Sequence, residues 1–447
     1  MQNGRILLPP AVSAALDRLE RAGFAAYAVG GCVRDSILGR APNDWDITTS
    51  ARPEDTLRVF ADRRVIETGI KHGTVTVLCD GMPLEITTFR CDGEYKDNRH
   101  PVSVTFSARI EDDLSRRDFT VNAMAYHPQK GYVDLFGGRE DLSRRVIACV
   151  GDPETRFRED GLRILRAIRF AATLDFSIDP QTADAVHRLS HLLQNIAAER
   201  IREELCKLIC GRGAERILRE FSDVIARILP ELGACVDFPQ KTKYHSCDVF
   251  EHSIRALAFC KSDDLLTRLA LLLHDVGKPQ ACTEDGEGMH FKGHAAVGAE
   301  LCRTLMRRLR FDNDTISRVT RLVEYHDREI PPTERAVKRL MCNMCDEDIL
   351  RLLEIKRCDR LAHAPAYCTP SPVWNEIAEI LQRVRASDAC LSLKTLKING
   401  GDLIQMGMRS GREMGDLLRE LLELVIDGDL QNDAEELKAA ARSRMKT

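Results

Sequence analysis

Two carboxylates separated by one residue stand in the segment NDWDITTS, which covers residues 43–50. If this segment is a strand, Asp44 and Asp46 point to the same face, with Cα atoms about 6.5–7 Å apart. Like charges in this position repel each other unless cations lie between them, and Mg²⁺ prefers oxygen ligands. The strand-like segment LEITTF adds Glu85 as a third carboxylate. The pattern predicts a magnesium site, with a solvated strand face as the alternative.

A glycine pair precedes these carboxylates. Gly30 and Gly31 end an apolar run and are followed by VRDSIL, which we predict to be a helix that ends at Gly39. Glycines before a helix let backbone N–H groups approach phosphates, and Arg34 could reach phosphate or ribose from one turn into the helix. A structural turn explains the glycines alone but not their combination with Arg34 and the carboxylates. Two Mg²⁺ ions at such a site can activate a hydroxyl and neutralise a leaving pyrophosphate.

A second motif is EDGLR at residues 159–163, which we predict to open a helix. Asp160 and Arg163 are three residues apart, so their side chains can share a helix face. An Asp accepts hydrogen bonds from the amino groups of cytosine and adenine, and an Arg donates to ring acceptors, whereas guanine and uracil present the reverse pattern. The pair predicts selection of C and A. The alternative is an ordinary helix start with acidic residues favoured by the dipole.

In their order along the chain, these motifs resemble the signature of polymerase-beta-type nucleotidyltransferases. Within that superfamily they resemble the class II tRNA nucleotidyltransferase and bacterial poly(A) polymerase family. The resemblance rests on GGCVRDSILGR, NDWDITT, TGIKHGTVTV, EITTFR, RRDFTVNAMAY, DLFGGREDL and REDGLRILRAIRF, and more weakly on INGGDLIQMG near the end. It implies a nucleotidyltransferase that adds CCA to the 3′ end of tRNA from CTP and ATP without a nucleic-acid template, with Mg²⁺ as cofactor.

The resemblance also implies roles for individual residues. Asp44 and Asp46 would hold Mg²⁺, with Glu85 as a third ligand. The implied nucleotide-binding residues are Gly31, Arg34, Arg117, Asp160, Arg163, Arg166 and Arg169. Asp118 and Asn122 would be structural or ribose-side partners. The polar segment 92–104 resembles the loop that complete CCA-adding members use to switch from C to A, with an ordinary surface loop as the alternative.

Other activities stay open at this point. Poly(A) polymerases of the same family share the catalytic motifs. The segment GIKHGTVTV resembles the CCA-adding branch, and the mixed charge of DAEELKAAARSRMKT differs from a basic poly(A)-type tail, so CCA addition is favoured. From other classes, the chain could be an HD phosphohydrolase acting on RNA ends, with the head only binding RNA, or a tRNA-binding module without catalysis.

The C-terminal half carries a second constellation. The segment LALLLHDVGKP at residues 269–279 resembles the HD metal-dependent phosphohydrolase signature. The ligands implied by this resemblance are His252, His274, Asp275 and Asp359, with His294 and His326 in an extended pattern. Mixed His and carboxylate ligands suit Mn, Fe, Ni, Co or Zn better than Mg alone, so we predict a second divalent transition metal. A retained fold without activity is the alternative.

The elements that position these residues change in type along the chain. Short strands are predicted at 25–29, 45–49, 74–79, 84–90 and 102–106, after a helix at 12–22. Helical spacing follows at 182–228, 251–274, 295–310, 333–361 and 411–426. The predicted fold is an α+β head with a mixed sheet, followed by an all-α neck, body and tail. The predicted domains are the head at 1–148, the neck at 149–230, the body at 231–370 and the tail at 371–447.

Composition sets broader limits. A length of 447 residues exceeds one hydrophobic core, and 44% hydrophobic with 30% charged residues is typical of globular proteins. No apolar run approaches the ~18 residues of a membrane span. We therefore predict a cytoplasmic protein without a membrane partner. A net charge of −4 argues against indiscriminate DNA binding. The 16 cysteines predict reduced thiols, including Cys342 and Cys345 on one helix, with a zinc or redox role of this CxxC pair as the alternative.

Overall fold

The computed structural model describes residues 5–93, 104–286, 288–387 and 389–445. The chain divides into two compact units, Met1–Gly233 with Arg308–Arg310, and Ala234–Arg307 with Phe311–Thr447. Most of the predicted switching loop, residues 94–103, lies outside the described residues. Across the part of the chain that is described, no helix combines the length and the apolar character needed to cross a lipid bilayer.

The first unit is built around a mixed sheet. The strands described in this unit are β1 (Ala26–Val29), β2 (Trp45–Thr49), β3 (Val65–Ile66), β4 (Thr74–Cys79), β5 (Met82–Thr88), β6 (Arg90–Asp92), β7 (Val104–Phe106), β8 (Met124–His127), β9 (Gly131–Asp134), β10 (Val146–Ile147) and β11 (Ser177–Ile178). Seven of them form one sheet in the order β3-β4-β5-β2-β1-β8-β9. Strands β2 and β5 are parallel, whereas the other neighbours in this sheet are antiparallel. The predicted mixed sheet is therefore confirmed.

Helices cover this sheet and continue beyond it. They are α1 (Pro10–Arg21), α2 (Gly31–Ile37), α3 (Pro53–Val59), α4 (Ile110–Ser115), α5 (Gly138–Arg144), α6 (Pro153–Glu159), α7 (Leu162–Leu174), α8 (Pro180–Leu189), α9 (Ala198–Ile209), α10 (Ala214–Glu220), α11 (Ser222–Ile228) and α12 (Pro230–Gly233). Helical turns of the 3-10 type occur at Ile70–His72, Thr120–Asn122 and Ser190–Asn195. The predicted helical stretch 182–228 is thus interrupted. One interruption follows α9, where a Cβ on Gly211 would lie 2.6 Å from the carbonyl oxygen of Ala172 in α7.

The second unit is mainly helical. Its helices are α13 (Val249–Phe259), α14 (Leu265–Leu273), α15 (Lys278–Ala281), α16 (His294–Arg308), α17 (Asn313–Tyr325), α18 (Glu334–Met341), α19 (Asp346–Ala362), α20 (Val373–Ala386), α21 (Gly400–Gln405), α22 (Arg412–Asp427) and α23 (Ala434–Met445). Strands β12 (Thr283–Asp285) and β13 (Gly288–His290) form a small antiparallel pair that was not predicted.

Two predicted helices of this unit are each divided in two. The stretch 251–274 breaks after Cys260, because Asp264 caps a new helix by accepting a hydrogen bond from the backbone N–H of Thr267. The stretch 333–361 breaks between α18 and α19. Cys342 ends α18 and Cys345 caps α19, so the prediction of two thiols on one helix is wrong.

Candidate functional site

The three predicted head carboxylates come together at one edge of the β2–β5 pair. Asp44 directly precedes β2, and Asp46 lies within it opposite Glu85 of the parallel strand β5. Burial, together with the carboxylates of Asp44 and Glu85, raises the pKa of Asp46 to about 6, although Arg117 acts in the opposite direction. Three neighbouring carboxylates, one of them partly desolvated, form an oxygen-only ligand set that fits Mg²⁺.

The glycine pair gives Arg117 a place beside these carboxylates. Gly30 has φ of 81°, in the left-handed region that favours glycine. A Cβ on Gly30 would also lie 3.0 Å from Nη1 of Arg117. On its other side Arg117 donates from Nη2 to Oδ2 of Asp113, a fully buried carboxylate, over 3.1 Å. A glycine at position 30 therefore allows a guanidinium to approach both the backbone turn and Asp46.

A hydrogen-bonded chain joins the glycine motif to α7. Arg34 donates from Nη1 to Oδ1 of Asn122 over 2.6 Å, and Nδ2 of Asn122 donates to Oδ1 of Asp118 over 3.3 Å. The other oxygen of Asp118 accepts from Nε and Nη2 of Arg166, at 2.8 and 2.6 Å. Asp118 and Asn122 therefore connect two arginines that the sequence predicts to contact the nucleotide.

The arginines of this surface also surround one aromatic ring. The guanidinium carbons of Arg34, Arg166 and Arg169 lie 5.2, 5.3 and 3.5 Å from the ring centroid of Phe170. Nε of Arg169 donates to Oε2 of Glu204 in α9 over 2.7 Å. Phe170 and Glu204 were missed from the sequence. The sequence could have indicated Phe170, because it directly follows Arg169. Nothing in the sequence around Glu204 indicates that it pairs with Arg169.

Asp160 and Arg163 of the EDGLR motif were predicted to share one helix face, and this prediction is wrong. Helix α7 begins at Leu162, so Asp160 precedes it, and Oδ1 of Asp160 accepts from the backbone N–H of Leu162 over 3.0 Å. Its Oδ2 accepts from Nη2 of Arg200 in α9 over 2.9 Å. An extended residue before the helix accepts from the helix N-terminus, and a second helix supplies the counter-charge. Arg200 was not predicted because it lies 40 residues away in the chain.

Arg163 of the same motif is buried and has its own partners. It forms an ion pair with Glu159 and donates to the backbone carbonyl oxygens of Arg156 and Arg116, at 3.1 and 3.0 Å. These contacts hold the guanidinium in one orientation. A fixed guanidinium presents donors with defined geometry, which base discrimination requires.

Replacing Asp118 by Asn is expected to lower the free energy of unfolding by about 2–3 kcal/mol, because Arg166 loses the nearer of its two charged partners, Asp118 and Glu204, in a partly buried site. Burial opposes ionisation, but Arg166 and Arg163 lower the pKa of Asp118 to about 2. The depressed pKa means that this stabilisation exists above the unfolded value of about 4 and is lost as pH falls toward 2. Urea unfolding at pH 7 and in acid measures both effects.

Asp184→Asn is the matched control for this prediction. Asp184 accepts from Arg188 over 2.8 Å, but both side chains are more than half exposed. Exposed pairs of this kind contribute at most about 1 kcal/mol. Equal effects of the two substitutions at pH 7 would contradict the stabilising role of Asp118.

The predicted HD-type residues lie together in the second unit, around Asp275. Its Oδ2 lies 3.2 Å from Nε2 of His274 and 3.6 Å from Nε2 of His252. Its Oδ1 lies 3.3 Å from Nε2 of His294 and 3.6 Å from Nε2 of His326. Each oxygen of one buried carboxylate thus faces a separate pair of imidazoles.

Asp359 completes the predicted set from α19. Its Oδ1 lies 2.9 Å from Nε2 of His252 and 3.7 Å from Nε2 of His274. Although burial has the opposite effect, the carboxylates of Asp275 and Asp359 raise the pKa of His274 to about 10. Nζ of Lys278 lies 2.6 Å from Oδ2 of Asp275. The proton on His274 and the ammonium group of Lys278 therefore lie beside the carboxylates, in positions that also suit a metal cation.

The outer nitrogens of these histidines follow one pattern. His274, His294 and His326 each place Nδ1 within 2.6–2.9 Å of the carbonyl oxygen three residues earlier. Because a carbonyl only accepts, Nδ1 carries a proton in each ring, and Nε2 is the nitrogen directed at the carboxylates, where its lone pair holds a proton in His274 or can bind a metal ion. Metal-binding histidines are oriented in this way, so the residues present fit a divalent transition metal.

Two further histidines belong to this group and were missed from the sequence. One nitrogen each of His245, His252 and His363 lies within 4.8 Å of the others. Both new residues line a cavity of about 950 Å³ that also contains Asp275 and Asp359. His363 follows Asp359 by one helical turn, a spacing that could have indicated it. His245 stands before α13 without a recognisable motif.

Three family models match this chain. They are "Poly A polymerase head domain" at residues 26–148, "Probable RNA and SrmB- binding site of polymerase A" at 175–235, and "tRNA nucleotidyltransferase domain 2" at 294–441.

Curated relatives and a solved structure match nearly the whole chain. The CCA-adding enzyme of Limosilactobacillus fermentum is 34% identical over 96% of each chain. That of Streptococcus suis is 35% identical over 94% of this chain and 92% of its own. The crystal structure of the Bacillus stearothermophilus CCA-adding enzyme in complex with CTP matches with a TM-score of 0.76 and 31% identity, covering 98% of both chains.

Proposed function

Because the chain belongs to the CCA-adding enzyme family, we propose that it adds C, C and A to the 3′ end of tRNA. CTP and ATP would supply the nucleotides, and pyrophosphate would leave at each step. The observation that carries this proposal is the convergence of Asp44, Asp46 and Glu85 beside Arg117. Carboxylates for Mg²⁺ next to a cation for phosphate are what nucleotidyl transfer requires.

The proposed reaction is attack of the tRNA 3′-hydroxyl on the α-phosphate of the nucleotide. Asp44, Asp46 and Glu85 would hold Mg²⁺, which when bound favours deprotonation of the hydroxyl and offsets charge on the phosphates. Arg117 orients the triphosphate where Gly30 and Gly31 leave room for its approach. The pyrophosphate departs with the bonding electron pair of the broken P–O bond.

The proposed base selection uses Asp160 and Arg163 in place of a template. Asp160 accepts from the exocyclic amino group of cytosine or adenine, and Arg163 donates to a ring acceptor. Arg200 and Glu159 hold the two side chains in place. Arg34, Arg166 and Arg169 line the surface around Phe170 and contribute to binding of the nucleotide phosphates.

The domain limits predicted above also remain part of this proposal. Residues 1–148 would carry the chemistry and 149–230 the base selection. The helices of 231–370 and 371–447 would bind tRNA through the shape of its backbone. Shape and phosphate contacts suit recognition of many tRNAs of different sequence.

A second activity is proposed for the second unit, the removal of phosphates or opening of cyclic phosphodiesters at RNA ends. It is favoured by Asp275, whose two oxygens each face a histidine pair. A transition metal held there by His252, His274, Asp275, His294, His326 and Asp359 would supply Lewis acidity when bound. The cavity beside the cluster gives an RNA end room to enter.

The test that separates the two activities uses tRNA ending before CCA, with CTP and ATP. Pyrophosphate release should match nucleotide addition and should survive His274→Ala with Asp275→Ala, because these residues have no role in the proposed transfer. Phosphate release from 3′-phosphorylated or cyclic RNA ends should be abolished by the same pair. Loss of nucleotide addition in this correctly folded variant would contradict the division of labour.

A further inference from the structure

The histidine cluster of the second unit contains two residues in addition to those of the HD pattern. His245 and His363 come from outside that pattern, yet they lie beside His252. The ring centroid of His245 is 4.7 Å from that of His252 and 4.8 Å from that of His363. Three imidazoles from different parts of the chain therefore meet in the cluster that contains the carboxylates of Asp275 and Asp359.

The orientation of His245 repeats that of the neighbouring histidines. Its Nδ1 lies 2.9 Å from Oγ1 of Thr242, three residues earlier, as the Nδ1 atoms of His274, His294 and His326 lie against carbonyls three residues earlier. The outer nitrogen therefore has a fixed partner. The inner nitrogen, Nε2, lies 3.5 Å from Nζ of Lys278. An oriented inner nitrogen is the usual preparation for metal binding.

His363 approaches the same centre from α19. Its Nε2 lies 3.4 Å from Oδ1 of Asp359, the same oxygen that lies 2.9 Å from Nε2 of His252. One carboxylate oxygen therefore faces His252 and His363 together. Nδ1 of His363 is buried without a hydrogen-bond partner. Hydrogen bonding therefore does not explain the position of this ring fully.

We propose that His245 and His363 are additional ligands of the metal ion held beside His252 and Asp359. This inference rests on the proposed metal centre and extends its ligand set. A site rich in imidazole is softer than an all-oxygen site, so it should prefer Co²⁺, Ni²⁺ or Zn²⁺ to Mg²⁺. The head carboxylates, which are all oxygen ligands, would keep Mg²⁺.

The first test measures Co²⁺ affinity of the full chain by competition with a chromophoric chelator. His245→Ala with His363→Ala should weaken the tightest Co²⁺ binding by about tenfold or more, because two ligands are removed. His187→Ala is the matched control. His187 also faces a carboxylate, Asp223 at 3.0 Å, but is exposed in the first unit, so its loss should change nothing. CMP incorporation should stay unchanged in both variants.

The second test needs no substitution and therefore does not depend on folding of a variant. Diethyl pyrocarbonate modifies accessible imidazole nitrogens, and mass spectrometry locates the products. In the wild-type chain, Co²⁺ should protect His245 and His363, which are partly buried, while the exposed His191 of the first unit reacts with or without the metal. Modification of His245 and His363 that is equal with and without bound Co²⁺ would overturn the proposal.

The outcomes distinguish the proposal of two additional ligands from the proposal of the metal centre itself. A wild-type chain that binds no Co²⁺ would contradict the metal centre as a whole. A chain that binds Co²⁺ tightly, with unchanged affinity in the His245 and His363 variant and no protection, would overturn only the additional ligands. Neither result would bear on nucleotide addition by the head.

Discussion

Asp46→Asn is expected to lower nucleotide addition on the order of 1,000-fold, equal to about 4 kcal/mol of transition-state stabilisation. Asn keeps the shape of the side chain but removes the charge that is proposed to hold Mg²⁺ together with Asp44 and Glu85. The loss should appear in kcat, because the carboxylate acts where charge develops during transfer. Incorporation of CMP into tRNA lacking CCA, measured over a Mg²⁺ titration, checks this expectation.

The same substitution should leave the metal-free protein at least as stable as the wild type. The pKa of Asp46 is raised to about 6 by burial and by Asp44 and Glu85, so at pH 7 the side chain is ionised and its charge destabilises the folded state relative to the unfolded chain. Removing the charge therefore relieves repulsion at pH 7. Thermal unfolding without Mg²⁺ should show no loss of Tm, whereas the rise in Tm with Mg²⁺ and CTP should disappear.

Asp62→Asn is the matched control for this first prediction. Asp62 is an exposed carboxylate of the same unit and pairs with Arg18. Its loss should leave both addition and the response to Mg²⁺ unchanged. Near wild-type addition by the Asp46→Asn variant would contradict the role given to the head carboxylates.

The second large effect is expected on the choice of base. Asp160→Asn replaces an acceptor-only group by an amide that also donates, and so can pair with the O4 of uracil. The ratio of kcat/KM for CTP over UTP should fall by about 100-fold, mainly through faster use of UTP. Single-nucleotide addition to tRNA lacking CCA, with each nucleotide in turn, measures this ratio.

Two comparisons show whether this effect comes from base reading. Arg163→Lys keeps the positive charge but loses the planar fork, so it should also relax selectivity. Asp184→Asn, on the exposed surface of α8, should leave the ratio unchanged. A variant Asp160→Asn that loses speed equally for CTP and UTP would indicate a structural role and contradict base selection by Asp160.

The sequence was most informative where function is carried by neighbours in the chain. Asp44 and Asp46 are two residues apart, and β2 was predicted with its observed limits, so their proximity followed from strand geometry. Glu85 required only that a second strand pair in register, which β5 does. The glycine pair at the start of α2 was recognisable because Gly30 adopts a left-handed backbone conformation that favours glycine.

Partners that come from distant parts of the chain could not be predicted in the same way. Arg200 reaches Asp160 from α9, and Glu204 reaches Arg169 from the same helix. These contacts depend on how α9 packs against α7, which periodicity does not specify. His245 and His363 join the second cluster for the same reason, through packing around α13 and α19. Helix breaks at Gly211 and Asp264 likewise follow from close packing and capping.

The most direct test of the central claim is the product ladder on tRNA that ends before CCA. The full chain is incubated with CTP alone, ATP alone or both, and the products are resolved at single-nucleotide length and sequenced. We predict addition of C residues with CTP, a finished CCA end with both nucleotides, and no further growth. Long A tails formed with ATP alone would contradict CCA addition and favour poly(A) synthesis.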